Sequence, residues 1–314
     1  MRPERPIQLP GPLLAVDLHA AYHVIAAVLG DTLRGFPSAG TGDGEQGIDG
    51  FNPDVAQVAQ AFDVSAYADE VIRSWRIFRE LRNSGEIKGD LRFQISLPAP
   101  VTIAASRIPK AGHAVALPAL DEALRSALER LLAEIPPADL AVEWIVTTEF
   151  FTLETGGWSA YLRDEFDAIV QNLVRLGDAV PQEAELGYRF SYGNLDRTHL
   201  GQQSNASRMY TFANGILGRI GRAVDWLQVD IPADRDVPEF FVPLAGLRRF
   251  ADTRLFLGLV QPGDDLDQAW RRLNAASTHL PDVGIAPVDG PDFRSPDRAR
   301  AELSVLRSLA GDPP

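Results

Sequence analysis

A single (β/α)8 barrel over residues 1–314 is the fold class this sequence predicts, and three observations predict it. Short apolar runs rich in β-branched residues alternate with longer stretches at helical spacing, the pattern of βα units on a parallel sheet. From the third run onward the strand starts fall at 141, 186, 224, 255 and 283, close to the roughly 30 residues that a strand, crossover helix and next strand require. The one Gly-x-Gly-x-x-Gly, Gly42–Gly47, lies inside the long Pro37–Gly50 loop and not at a tight turn from a strand straight into a helix, so an open dinucleotide-binding sheet has little support.

Seven strands are visible: Leu13–Leu18, Leu91–Leu97, Ala141–Thr148, Leu186–Tyr192, Val224–Asp230, Leu255–Val260 and Val283–Val288. The eighth is expected near Asp31–Phe36, where the pattern is weak. Helices are expected within Asp54–Asn83, Leu120–Ile135 and Tyr161–Leu176. Each of these carries apolar residues on one side, such as Val71, Trp75 and Phe78 in the first. The loops after strands, notably Pro37–Gly50 and Phe190–Gln203, are long and rich in Gly, Asp and Pro. In a barrel such loops crowd the rim where active sites are built.

Composition removes several function classes. The 314 residues are 45% apolar, 23% charged and carry a net charge of −13, which disfavours phosphate backbones and anionic membranes as partners. Cysteine is absent, which excludes disulfides, thiolate zinc sites and cysteine nucleophiles together. The opening MRPERPIQLPGPLL lacks the apolar core of a secretory signal, and no run reaches about 18 apolar residues, so a cytoplasmic protein is expected. Trp75 and Trp270 suit a core or a subunit contact alike, which leaves a homo-oligomer open.

The candidate site lies at the strand tips, which are polar where a parallel strand should be apolar on both faces. They carry His19, Ser96, Glu149, Arg189, Ser191, Tyr192, Asn194, Asp230 and Asp289. The Gly-rich GTGDGEQG loop adds Asp43 and Glu45, without the Lys-Ser/Thr ending of a phosphate-binding loop. Polar residues converging from several strands define a cavity; the plain alternative is that they cap the sheet and satisfy one another. His19 and His23 are four apart, but the Glu of a His-Glu-x-x-His metal site is missing. His199 follows Asn194 and is a further acid or base within reach of the rim, or else a solvated loop histidine.

Seven segments in order, GDGEQG (Gly42–Gly47), FQISLPAPVTIA (Phe93–Ala104), VEWIVTTEF (Val142–Phe150), YRFSYGN (Tyr188–Asn194), DWLQVDIP (Asp225–Pro232), LFLGLVQ (Leu255–Gln261) and GIAPVDG (Gly284–Gly290), carry a resemblance to a known family. The chain resembles the C-terminal barrel of cobalamin-independent methionine synthase, and more closely the shorter stand-alone proteins similar to it. The resemblance implies a barrel of eight strands and eight helices. It also implies a zinc site of one His, two Cys and a Glu, where the metal activates a homocysteine thiol for attack on a folate methyl. The family's His-x-Cys-Tyr segment falls on Arg189, Phe190, Ser191 and Tyr192, its Glu on Asp230 and its second Cys on Asp289. Its Asp-Glu-Pro segment falls on Thr148, Glu149 and Phe150.

No thiolate remains, and one metal ligand has become a guanidinium that has no lone pair to donate and repels a dication. The expected pocket is therefore a self-neutralising cluster of Arg189, Ser191, Asp230 and Asp289, with no metal and no cofactor. The expected function is an enzyme acting on a small anionic metabolite without zinc-thiolate methyl transfer. Arg189, Ser191, Asn194, Asp43, Glu45, Ser96 and His19 bind substrate, and Glu149, Asp230, Asp289 or Tyr192 move protons. The alternatives are a non-catalytic small-molecule binding protein and a methyltransferase with a zinc-free mechanism.

Overall fold

Every short apolar run after the first builds a strand of one parallel sheet, as seen in a computed structural model that describes residues 4–40, 64–108, 112–147, 149, 166–192, 205–248 and 252–311. In chain order the elements are β1 (Leu14–Ala15), α1 (Leu18–Leu29), β2 (Gly35–Pro37), α2 (Val64–Asn83), β3 (Arg92–Pro98), α3 (Pro100–Arg107) and α4 (His113–Glu134). Next come β4 (Leu140–Val146), α5 (Phe166–Asp178), β5 (Glu185–Phe190), α6 (Ser207–Leu217) and β6 (Trp226–Asp230). The series ends with β7 (Arg254–Val260), α7 (Leu266–Ser277), β8 (Gly284–Pro287), β9 (Asp292–Phe293) and α8 (Pro296–Ala310).

The main sheet is curled and seven-stranded, all parallel, in the order β2-β3-β4-β5-β6-β7-β8. Its two outer strands are both reached by the N-terminal segment. Ile7 N–H donates to Thr32 O at 2.7 Å and Arg34 N–H to Ile7 O at 3.0 Å on the β2 side. On the β8 side Gln8 N–H donates to Ile285 O at 2.9 Å and Ile285 N–H to Pro6 O at 3.0 Å.

The first expected strand requires correction. Of Leu13–Leu18 only Leu14–Ala15 is strand, and it pairs with β9 outside the main sheet. Asp17 is the reason the run stops: its carboxylate accepts from Ala20 N–H, capping α1, so the chain turns helical at Leu18. The weak Asp31–Phe36 pattern overlaps a real main-sheet strand, β2, whose three residues are too few for periodicity to register.

Alternation along the strands sorts the sheet into two faces. Phe93, Ile95 and Leu97 of β3, Val142, Trp144 and Val146 of β4, and Leu186, Tyr188 and Phe190 of β5 join the main hydrophobic core with the helices. The opposite parity faces away from the helices. There Ala141, Trp226 and Phe256 form a separate small cluster, and the remaining residues include Gln94, Ser96, Glu143, Arg189, Gln228 and Asp230, all buried. Two glycines make room for the rings. A Cβ on Gly187 would lie 1.9 Å from the Trp226 indole, and one on Gly284 would lie 2.3 Å from Phe256. Gln8 joins this face, its amide donating to the Gln94 side chain. Among the described residues no helix is long and apolar enough to cross a membrane.

Candidate functional site

Arg189 is the next-to-last residue of β5, and its parity turns it onto the helix-free face. Its Nε and Nη2 both donate to Asp230 Oδ2, at 3.0 and 2.9 Å, from the last residue of the neighbouring strand β6. Nη2 also donates to Val288 O and, at 3.4 Å, to Asp289 Oδ1, just past the end of β8. Gln228 Nε2 completes the cluster, donating to Asp230 Oδ1 at 2.9 Å and Pro287 O at 3.3 Å. Gly258 of β7 leaves the space for this carboxyl, since a Cβ there would stand 2.5 Å from Asp230 Oδ1.

The Arg189 and Asp230 side chains are each 5% exposed and Asp289 is 26% exposed, so Asp289 is the member that faces out. Burial opposes the Arg189 charge, but Asp230, Asp289 and Glu143 outweigh it and hold the guanidinium above its ordinary value. Removing one partner from such a pair would strand a buried charge. All of the guanidinium's bonds use Nε and Nη2; Nη1 makes none with a described residue.

A second buried acid belongs to the same face. Glu143 sits mid-strand in β4, fully buried, and its Oε2 accepts from Ser96 Oγ at 2.8 Å and, weakly, from Gly11 N–H at 3.4 Å. Its Oε1 has no hydrogen-bond partner among the described residues. Burial pushes this carboxyl up to about 7, against the pull of Arg189, Ser96 and Gly11. Sequence reasoning missed Glu143 because it looked only at strand tips. The signal available was one carboxylate between Val142 and Trp144 in a run that is otherwise apolar.

The other expected site residues are placed as follows. Ser96 joins the cluster as the donor to Glu143. Ser191 and Tyr192 are buried just beyond β5; Ser191 N–H donates to Val146 O at 3.1 Å, and Tyr192 belongs to the main hydrophobic core. Glu149 serves a different end of the fold. It accepts from Thr102 N–H at 2.9 Å, Thr102 Oγ1 at 2.6 Å and Thr147 N–H at 3.1 Å, tying the first turn of α3 to the end of β4. Burial pushes its carboxyl up against those bonds. Glu149 also lines a cavity of about 430 Å³ bounded by α3, α4 and α5. His19 lies in the exposed first turn of α1, not at a strand tip, because Asp17 starts the helix so early. Its ring contacts that of His23, which pairs with Glu86. Asp43, Glu45 and Asn194, with Thr148 and His199, lie outside the described residues.

No protein family matches the chain, and neither does any curated protein. Solved structures similar to it at a distance include the following two. One is a Listeria monocytogenes protein assigned as a vitamin-B12 independent methionine synthase, at 15% identity and a TM-score of 0.46, covering 72% of this chain. The chain spans 65% of that protein's length, just under two thirds. The other is Old Yellow Enzyme from Pichia sp. AKU4542, at 13% identity and a TM-score of 0.49, covering 96% of this chain and 82% of that one.

The zinc that the methionine synthase resemblance implies does not fit these residues. A guanidinium nitrogen bonds Asp230 Oδ2 at 2.9 Å, where a metal would have to bind, and Asp230 Oδ1 is taken by Gln228. Among the described residues no group of three or more His, Cys, Asp and Glu is arranged to hold a metal.

Proposed function

We propose that this chain is a divergent, stand-alone barrel of the methionine synthase-like kind that acts on a small anionic metabolite without zinc-thiolate methyl transfer. In this reading Pro6–Gln8 is the first stave of a closed (β/α)8 barrel, bridging β2 and β8, and the site is the mouth at the strands' C-terminal ends. Arg189 grips the substrate anion through Nη1, while Asp230 and Gln228 fix the guanidinium plane. Asp289, the exposed acid beside it, accepts or returns the proton.

The observation that carries the reading is the unused Nη1 on an arginine whose other donors are fully committed to β6 and the end of β8. Thermal-shift titration with small carboxylates and amino acids, then turnover of each hit, tests the proposal. Stabilisation that disappears in Arg189→Gln, with conversion of the ligand, supports it; no stabilisation by any small anion overturns it. One observation favours a non-catalytic binding protein instead: Asp230, a buried candidate base, already accepts from both Arg189 and Gln228. A ligand that stabilises and is recovered unchanged decides for that reading.

A further inference from the structure

Among the described residues, three buried polar atoms on the helix-free face have no hydrogen-bond partner: Glu143 Oε1, Gln228 Oε1 and Trp226 Nε1. They cluster in register. Glu143 stands opposite Gly187, Gly187 opposite Trp226, and Arg189 opposite Gln228. An orphaned carboxylate oxygen so deep in a strand is costly unless the group is protonated or has something to bind.

Among the described residues, the groups facing Glu143 are these. From β3 comes the Ser96 hydroxyl, from the N-terminal segment the Gly11 N–H, from α2 the Tyr67 hydroxyl, which donates to Ser96 O at 3.0 Å, from β5 Arg189 and from β6 Asp230. Arg189 is the one cation among them, and Asp230 and Asp289 already claim it. With Glu143 protonated, Arg189, Asp230, Asp289 and Glu143 together carry one formal negative charge; with Glu143 ionised they carry two. An anion arriving on Nη1 adds more.

We propose that Glu143 is the acid–base group beneath this site, a positioning residue whose carboxyl takes up a proton when an anion binds Arg189 and releases it when the anion leaves. The proposal rests on the reading that Arg189 receives an anion, and it names how that capture is regulated. Coupling is reciprocal: what favours the proton also favours the anion. A carboxyl pushed up to about 7 lets this exchange happen near neutral pH.

Sulfate is the probe, because it stays a dianion across the range and any pH dependence belongs to the protein. Infrared difference spectra in D2O between pH 5.5 and 8.5 are expected to show a protonated-carboxyl band that vanishes at the higher pH and is missing in Glu143→Gln. Sulfate affinity is expected to fall about five- to tenfold from pH 6 to pH 8 in the native chain and to stay flat in Glu143→Gln. Sulfate binding that requires Arg189 yet ignores both pH and Glu143→Gln overturns the coupling alone. Sulfate binding that survives Arg189→Gln, or is missing altogether, overturns the reading of Arg189 and the coupling with it. Absence of the carboxyl band from the native chain overturns the assignment without any ligand, and does so even if the Gln variant fails to fold.

Discussion

Replacing Glu143 by Gln keeps the shape and removes the titration. The variant's amide oxygen still accepts from Ser96 and Gly11, and its NH2 takes the place of the orphaned Oε1. The folded native carboxyl is raised from the ordinary 4.5 to about 7, so the folded state holds this proton more tightly than the unfolded chain. The sign follows from linkage. Below pH 4.5 both states are protonated and the contribution is complete; it is lost as pH rises through 7 and levels off above. At about 1.4 kcal/mol per pH unit, the native chain loses roughly 2.5 kcal/mol between pH 5 and 8.5 through this residue alone. Other raised carboxyls, Glu149 among them, occur in both proteins and cancel in the difference. Urea unfolding of both proteins at the two pH values measures it. The variant should gain about 2.5 kcal/mol on the native chain as pH rises. Parallel stability curves would refute the buried-acid reasoning.

Three further outcomes follow from the same geometry. Arg189→Met strands Asp230 and should cost about 3–5 kcal/mol in denaturant unfolding; adding Asp230→Asn should recover a large part, whereas strict additivity would mean the pair is not coupled. Glu149→Gln puts an NH2 against an N–H donor at the end of β4 and should cost about 1–3 kcal/mol by the same assay, with no change in sulfate affinity because its bonds run to α3. Gly187→Ala places a methyl 1.9 Å from the Trp226 ring and should destabilise by about 1–3 kcal/mol or more with a change in tryptophan fluorescence; an unchanged spectrum and stability would show that the indole is not seated there.

The alternation of strands and helices was legible because each main-sheet strand after β2 lies in a short, largely apolar run that stands out from its flanks. What failed did so for physical reasons. The segment that bridges the outer strands is Pro6–Gln8, three residues among prolines, too short for any period, while the more apolar Leu13–Leu18 is cut short by a helix cap at Asp17. Arg189, Ser96, Asp230 and Asp289 were found at strand ends, and the structure brings Arg189, Asp230 and Asp289 together. Glu149 looked equivalent in the sequence, but it lies three residues past the end of β4, and its carboxyl meets the start of α3 instead. Glu143 was passed over because a parallel strand is expected to be apolar on both faces. A sheet curled around a polar interior breaks that rule on one of them.

The central claim is that a paired guanidinium, not a metal, organises this mouth and offers its free edge to an anion. A crystal structure of untagged protein grown with both zinc and sulfate tests it directly. The account predicts sulfate on Arg189 Nη1, with Nε and Nη2 still on Asp230. Zinc bound by Asp230 and Asp289, with Arg189 displaced toward solvent, would contradict it.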